Sequence, residues 1–258
     1  MIDAGPSHRA PEIGIARPWH PEPGAISISR AEALHYLGYR GQELNVELAG
    51  RIEAIIDDLE HRCTPRGAWA LFPIGMPLRT DDGMPQVPLE GAAVTLSGFD
   101  ILRHLRGARY AAVLACTLGI ENERRLRTAA VQQPLEGAVL DAACSAYVEA
   151  AVSALDGHVA ELAARCGFST NRRYSPGYGD LPLSTQPRLL AATNATRLAG
   201  ITATAGNLLL PSKSVTALIG WFDGEVADAN DGPRCSCCPA RGGCPFLAHG
   251  ETCLARRP

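Results

Sequence analysis

The fold class is decided by two stretches, YAAVLACT at residues 110–117 and LEGAVLDAACSAYVEAAVSALDGHVAELAARC at residues 135–166. The first stretch is a nearly continuous apolar run, which is typical of a β-strand that is covered on both faces. The second is the longest periodic segment of the chain and is rich in Ala and Leu, so it predicts a long helix that ends at Gly167. A strand buried on both faces beside a long apolar helix favours a layered protein with a sheet at its centre.

The remaining elements are short and alternate in type. A capping box, in which Ser29 stands three residues before Glu32, predicts the start of the first helix. Further helices are predicted at 44–59, 99–105, 120–130 and 187–193, and further strands at 68–74, 92–96, 201–204 and 215–221. This order predicts an α+β fold, with helices packed on a mixed or mostly antiparallel sheet and a Cys-rich C-terminal tail.

The chain divides into three regions by composition. Residues 1–24 are rich in proline and are expected to form an extended or mobile arm, residues 25–222 the folded domain, and residues 223–258 a Cys-rich tail that binds metal. The net charge of −3 argues against a nucleic-acid partner. We expect a cytoplasmic protein with no membrane segment, because the N-terminus lacks a secretory signal and no apolar run approaches the roughly 18 residues of a membrane span.

The segment RYSPGY, residues 173–178, belongs to no periodic element and carries a combination of side chains suited to a ligand. Arg173 offers a planar fork of donors for a carboxylate, and Tyr178 offers an apolar face with a polar tip. Gly177 and the proline before it fix a backbone that a ligand can approach closely. These properties suit a small zwitterion that carries an aromatic base. The competing interpretation is a tight structural loop whose arginine caps a helix.

This loop and the stretch TAGNLLLPSKSVTALIG at residues 204–220 resemble the activation domain of cobalamin-dependent methionine synthase. That family carries an R-x-x-x-G-Y loop followed by a T-x-S-x-x-M-x-P-x-x-S-V stretch. The second stretch here has Thr204, Gly206, Leu209, Pro211, Ser214 and Val215 at those positions. The segment from Cys116 to Gly119 and the helix that bears Glu149 also fall in the family's order. The resemblance covers roughly residues 30 to 220.

The resemblance implies a site for S-adenosylmethionine (AdoMet), the methyl donor when cob(II)alamin is reduced and remethylated. It implies that Arg173 holds the methionyl carboxylate and that Ser175 and Gly177 contribute backbone contacts. Tyr178 would face the ligand, and Glu149 would meet its amino or sulfonium end. No catalytic residue is assigned. The family's acidic residue and histidine after Gly-Tyr are replaced here by Pro182-Leu183-Ser184.

The C-terminal tail carries a cluster of five cysteines that predicts a metal site. They are Cys235, Cys237, Cys238, Cys244 and Cys253. Four soft sulfur ligands suit zinc or an iron–sulfur cluster, with Cys235, Cys238 and Cys244 as the core and Cys237 or Cys253 as the fourth ligand. The logic of a one-electron reactivation favours iron–sulfur, and zinc as a structural staple is the competitor. A redox-labile tail without metal is the third interpretation.

These features lead to two functional hypotheses. The chain has no room for modules that bind homocysteine, folate or cobalamin, so the resemblance implies a stand-alone reactivation factor that acts in trans. Such a factor would transfer methyl from AdoMet to the cobalamin of a corrinoid-dependent methyltransferase, with an electron-donor protein as a further partner. The alternative is a non-catalytic docking module for a corrinoid protein, with a zinc-stapled tail.

Overall fold

A computed structural model describes residues 12–39 and 41–224, all of which belong to the first of the two units Met1–Gly224 and Glu225–Pro258. The helices of this part are α1 (Arg30–Tyr36), α2 (Val46–Arg62), α3 (Phe99–His104), α4 (Ile120–Gln132), α5 (Pro134–Arg165), α6 (Gln186–Ala192) and α7 (Ala195–Leu198). Its strands are β1 (Arg17–Trp19), β2 (Arg66–Pro73), β3 (Leu78–Arg79), β4 (Pro85–Leu89), β5 (Val94–Ser97), β6 (Tyr110–Thr117), β7 (Phe168–Thr170), β8 (Thr202–Ala203), β9 (Leu209–Leu210) and β10 (Ser214–Asp223).

A five-stranded antiparallel sheet in the order β1-β2-β6-β10-β7 lies at the centre of the fold. Strand β6 pairs along its whole length with β2 on one side and β10 on the other. All eight residues of β6 are buried, as the continuous apolar run predicts. The α+β fold with a mostly antiparallel sheet is therefore confirmed.

Each face of the sheet carries its own apolar core. On one face α5 packs on the sheet and α1, α2 and α4 pack on α5, and Leu59 and Leu155 belong to the same buried cluster as Leu114 of β6. On the other face, Val113 and Leu218 pack with Leu96 of the small sheet β3-β4-β5, together with α3 and α6. Side chains alternate between the faces along each strand, so β6 supplies apolar residues to both cores.

Side-chain caps begin α1, as the capping box predicts, and also α2. The Ser29 side chain accepts a hydrogen bond from the Glu32 amide at 3.3 Å, and Asn45 does the same for Leu48 at 2.7 Å. These contacts satisfy amides that the first turn of a helix otherwise leaves without a partner.

Helix α5 has 32 residues and spans about 48 Å at 1.5 Å per residue. By length and composition it reaches the range of a membrane-spanning helix, which the sequence analysis did not anticipate. In the structure, however, 61% of its most apolar window is buried, because it packs against α1, α2, α4 and the central sheet. Its apolar character is therefore that of a core helix.

Strand β1 lies within residues 1–24, the segment that the composition indicates to be an extended or mobile arm. Its three residues pair with β2, so that Pro18 lies opposite Ala68. β1 is an edge strand of the sheet. Proline is tolerated there because the side that faces away from the sheet needs no backbone N–H donor. Within the proposed arm, Arg17–Trp19 is thus extended but held in the sheet.

Candidate functional site

The loop that carries the RYSPGY motif follows β7 and runs along β10. Tyr174 and Leu218 exchange backbone hydrogen bonds in both directions, each at 2.8 Å. Upstream, the Asn171 side chain accepts a hydrogen bond from the Gly220 amide at 2.8 Å and donates one to the His104 carbonyl at 2.7 Å. These bonds fix the start of the loop against the central sheet.

Arg173 packs against one side of α5. Its Nη2 lies 2.5 Å from Oε2 of Glu149, and its Nη1 donates to the Ser153 hydroxyl at 2.9 Å and lies 3.9 Å from Asp156. Glu149, Ser153 and Asp156 occupy positions i, i+4 and i+7, which share a face of a helix. The Arg173 side chain is only 11% exposed, whereas Glu149 is 33% exposed.

The structure therefore brings Arg173 and Glu149 together, in a direct ion pair. Each group carries a charge opposite to one end of an amino-acid zwitterion. A ligand with a carboxylate and an ammonium can exchange this internal pair for two intermolecular ones, so the net charge of the site is conserved when it binds. A charge-assisted hydrogen bond of this type contributes about 1.5–3 kcal/mol.

The other predicted ligand residues form the tip of the loop. The Ser175 carbonyl accepts a hydrogen bond from the Tyr178 amide at 3.2 Å, which closes a tight turn. Gly177 has φ +92°, a conformation that an L-residue rarely adopts, and a Cβ there would lie 3.1 Å from Leu183. The Tyr178 side chain is 66% exposed, and its ring lies 6.5 Å from that of Tyr174. Its ring is thus available to a ligand or a partner at the surface.

Asp180 is a positioning residue that the sequence analysis missed. Its two carboxylate oxygens accept hydrogen bonds from the amides of Phe99 and Asp100 at 2.6 and 3.1 Å. The carboxylate caps the N-terminus of α3, whose N-cap position is Gly98 and offers no side-chain acceptor. A Cβ on Gly98 would come within 2.4 Å of the Asp180 Oδ1 atom. Gly98 has no side chain with which to cap α3. This is the signal in the sequence that the cap comes from another part of the chain.

The two other blocks of the family resemblance meet where β6 and β10 pair. The Ser214 hydroxyl donates to the Thr117 hydroxyl at 2.7 Å, and the Gly119 amide donates to the same oxygen at 3.0 Å. Strand β6 ends at Thr117, the last residue of the apolar run 110–117, and Gly119 follows as the N-cap residue of α4. Beside them, Lys213 bridges Asp141 and Ser145 of α5 at 2.9 and 2.8 Å.

Glu123 is a buried carboxylate next to this strand end. It accepts hydrogen bonds from the Ser212 amide at 2.8 Å and hydroxyl at 2.5 Å, and from Arg127 at 3.0 Å. Burial raises the pKa of Glu123, but these hydrogen bonds outweigh that effect and hold the pKa below its usual value. Glu123 therefore fixes the segment before β10 as an ionised acceptor.

Three of the four cysteines in the described part of the chain, Cys63, Cys116 and Cys144, are buried thiols. Burial raises the pKa of Cys63 and of Cys116 to about 12, and that of Cys144 to about 11. Among the described residues no group of three or more His, Cys, Asp or Glu side chains is arranged to hold a metal ion. The five tail cysteines, from Cys235 to Cys253, lie outside the described residues, so the metal site remains a prediction.

Comparison with known proteins identifies the fold. No protein-family model and no curated protein sequence matches this chain significantly. A crystal structure of the MetH reactivation domain bound to AdoHcy is similar, with a TM-score of 0.61 over 82% of this chain and 80% of that chain. This chain has the fold of the MetH reactivation domain. The sequence identity is 16%, and the likeness confirms the fold implied by the resemblance.

Proposed function

We propose that this chain is a stand-alone reactivation factor that binds AdoMet at the Arg173 loop and acts in trans. The observation that carries the proposal is an ion pair. It joins Arg173, on the loop with the R-x-x-x-G-Y sequence, to Glu149 of α5. The MetH reactivation domain, whose fold this chain has, binds AdoHcy in the solved structure. AdoHcy differs from AdoMet by one methyl group and a positive charge.

The pair is suited to the methionyl end of AdoMet. Arg173 would receive the carboxylate through two parallel N–H donors, and Glu149 would receive the ammonium or the sulfonium. Because Arg173 is fixed by Ser153 and by the backbone of the loop, it loses little side-chain freedom when a ligand binds. Ser175 and Gly177 would offer backbone groups, and Tyr178 would contribute its exposed ring.

The reaction would take place on the cobalamin of a partner, a corrinoid-dependent methyltransferase. One electron from a donor protein and one methyl group from AdoMet together convert cob(II)alamin to methylcobalamin. The C–S bond of AdoMet breaks with its electron pair left on sulfur, which releases S-adenosylhomocysteine. We place this activity in the cytoplasm, where the tail cysteines would remain reduced. An iron–sulfur cluster at Cys235, Cys238 and Cys244, with Cys237 or Cys253 as the fourth ligand, would supply a one-electron redox group for this step.

A second candidate is a docking module for a corrinoid protein, with a zinc-stapled tail and no methyl transfer. One observation favours it: the Arg173 guanidinium already has partners in Glu149 and Ser153, as an arginine with a purely structural role would. In that case the loop would stabilise the end of the sheet and present Tyr178 to the partner.

An anaerobic methyl-transfer assay distinguishes the two candidates. The chain is mixed with a corrinoid methyltransferase in its cob(II)alamin state, a chemical reductant and AdoMet labelled in the methyl group. A reactivation factor gives labelled methylcobalamin in the wild type and little in Arg173→Ala, whereas Arg188→Ala, an exposed arginine of α6, is the matched control. A docking module binds the methyltransferase but gives no label. Metal analysis of the same preparation separates iron from zinc.

A further inference from the structure

Helix α5 presents two carboxylates to the single guanidinium of Arg173. Glu149 contacts Nη2 at 2.5 Å, whereas Asp156 lies 3.9 Å from the other terminal nitrogen, Nη1. Ser153, between them on the helix, accepts the hydrogen bond from Nη1 at 2.9 Å. The proposed function uses Arg173 and Glu149 for the ligand and gives Asp156 no role.

The charges in this group of contacts do not balance. One guanidinium faces two carboxylates, which leaves one negative charge in excess. The side chains of Arg173 and Asp156 are only 11% and 24% exposed. Water therefore screens their charges less than it screens charges at an open surface. A carboxylate at the position of Asp156 consequently acts on the charge of any ligand that is bound at Arg173.

The excess charge becomes important once a zwitterion has replaced the internal ion pair. The carboxylate of the ligand goes to Arg173 and its ammonium goes to Glu149, and these two exchanges cancel in charge. The carboxylate of Asp156 remains, and a further positive group on the ligand would balance it. AdoMet carries such a group, because its sulfonium is only a short aliphatic chain away from its carboxylate. AdoHcy has a neutral thioether at the same place.

We propose that Asp156 is a specificity-determining residue, whose charge makes the Arg173 site prefer AdoMet, a sulfonium cation, to AdoHcy, its neutral product. The inference rests on the proposed function, because it takes AdoMet as the ligand of the Arg173 loop. When the methyl group leaves, the sulfur keeps the electron pair of the C–S bond and the ligand loses one positive charge. The attraction to Asp156 ends at that step, which favours release of the product and entry of a new AdoMet.

A purely structural role for Asp156 has a different signature. AdoMet and AdoHcy have the same carboxylate and ammonium, so a residue that only holds Arg173 in place affects both ligands equally. A charge effect acts on AdoMet and leaves AdoHcy unchanged. Asp156→Asn separates the two roles, because the amide has nearly the size of the carboxylate and keeps an acceptor for Nη1 but carries no charge.

Calorimetric titrations of AdoMet and AdoHcy into the wild type and Asp156→Asn test the proposal. We expect the wild type to bind AdoMet about fivefold more tightly than AdoHcy, as one charge pair about 10 Å apart in a partly screened site would give. Asp156→Asn should lose most of this preference through weaker binding of AdoMet alone. The matched control, Glu161→Gln, removes an exposed carboxylate from another side of α5 and should keep the preference.

The salt dependence of the wild-type preference is a second measurement, which needs no variant. The preference should shrink as the ionic strength rises from about 0.01 M to about 1 M, because the Debye length falls from about 30 Å to about 3 Å. This measurement still decides if Asp156→Asn does not fold.

The outcomes separate this proposal from the proposed function. Equal losses of both ligands in Asp156→Asn, no loss of either, or a wild-type preference that is absent or insensitive to salt would overturn the role of Asp156 alone. AdoMet would still bind at Arg173 in those cases. A wild type that does not bind AdoMet at millimolar concentration would overturn the proposed function and the role of Asp156 together.

Discussion

Replacement of Arg173 by alanine separates a ligand-binding arginine from a structural one. The substitution removes the 2.5 Å contact with Glu149 and the 2.9 Å hydrogen bond to Ser153. Because Glu149 is 33% exposed, water can solvate it after the substitution, and we expect a loss of stability of about 1–3 kcal/mol. For a domain of this size that corresponds to a fall in Tm of about 3 °C per kcal/mol.

The effect on ligand binding has its own magnitude. Loss of the carboxylate clamp should weaken AdoMet binding at least about tenfold, since each charge-assisted hydrogen bond contributes about 1.5–3 kcal/mol. AdoMet at a hundred times the wild-type Kd stabilises the wild type by about 2.7 kcal/mol. At the same concentration a tenfold weaker site gains only about 1.4 kcal/mol. The ligand-induced rise in Tm should therefore fall by half or more.

Thermal unfolding with and without AdoMet measures both quantities in one experiment. Arg173→Lys should recover part of the ligand-induced rise, because one ammonium cannot reproduce the planar fork. Arg188→Ala should behave like the wild type. If Arg173→Ala lowers the Tm but AdoMet raises the Tm equally in both proteins, or in neither, then the arginine is structural and the reasoning is wrong.

Four further predictions concern the loop and the tail. Glu149→Gln should weaken AdoMet more than S-adenosylhomocysteine in calorimetric titrations if the carboxylate meets the sulfonium, whereas equal losses would place it at the amino group. Tyr178→Phe should reduce AdoMet affinity less than Tyr178→Ala, because the ring face carries most of the contact; equal losses would assign the contact to the hydroxyl. Asp180→Ala should lower the free energy of unfolding by about 1 kcal/mol through loss of the cap on α3, and an unchanged denaturation midpoint would contradict this. Cys238→Ala should remove the metal of anaerobically prepared protein without unfolding the domain, and wild-type protein with neither iron nor zinc would refute the metal site.

The elements that the sequence predicts well are those with a strong local pattern. The apolar run at 110–117 predicts the central strand β6, and the long periodic segment at 135–166 predicts helix α5. The capping residue Ser29 predicts the start of α1. These patterns are predictive because burial and capping involve residues that are close in the sequence. The pattern can therefore be recognised within one continuous stretch of the chain.

Two of the missed strands, β1 and β4, share a different property. Strand β4 contains Pro85 and Pro88, and β1 contains Pro18, and proline within a run argues against a strand because it removes a donor. Strand β4 pairs with β5, and β1 pairs with β2. This pairing stabilises the two strands although their local sequences do not favour strand structure. Pairing with a distant strand cannot be recognised from one short stretch of sequence.

The candidate site was predictable in part. The family resemblance and the helix that precedes the loop placed Arg173 near Glu149, and the structure brings the two together. The cap that Asp180 provides was not predictable, since its partners, Phe99 and Asp100, lie about 80 residues away in the sequence. Nor does the sequence indicate that Ser153 and Asp156 complete the environment of the arginine.

Calorimetric titration of AdoMet into the anaerobically prepared wild-type chain, with Arg173→Ala beside it, tests the central claim most directly. We expect saturable binding with a submillimolar Kd, at least about tenfold weaker in the variant. The absence of binding to the wild type at millimolar AdoMet would contradict the account and leave the docking module as the better description of the chain.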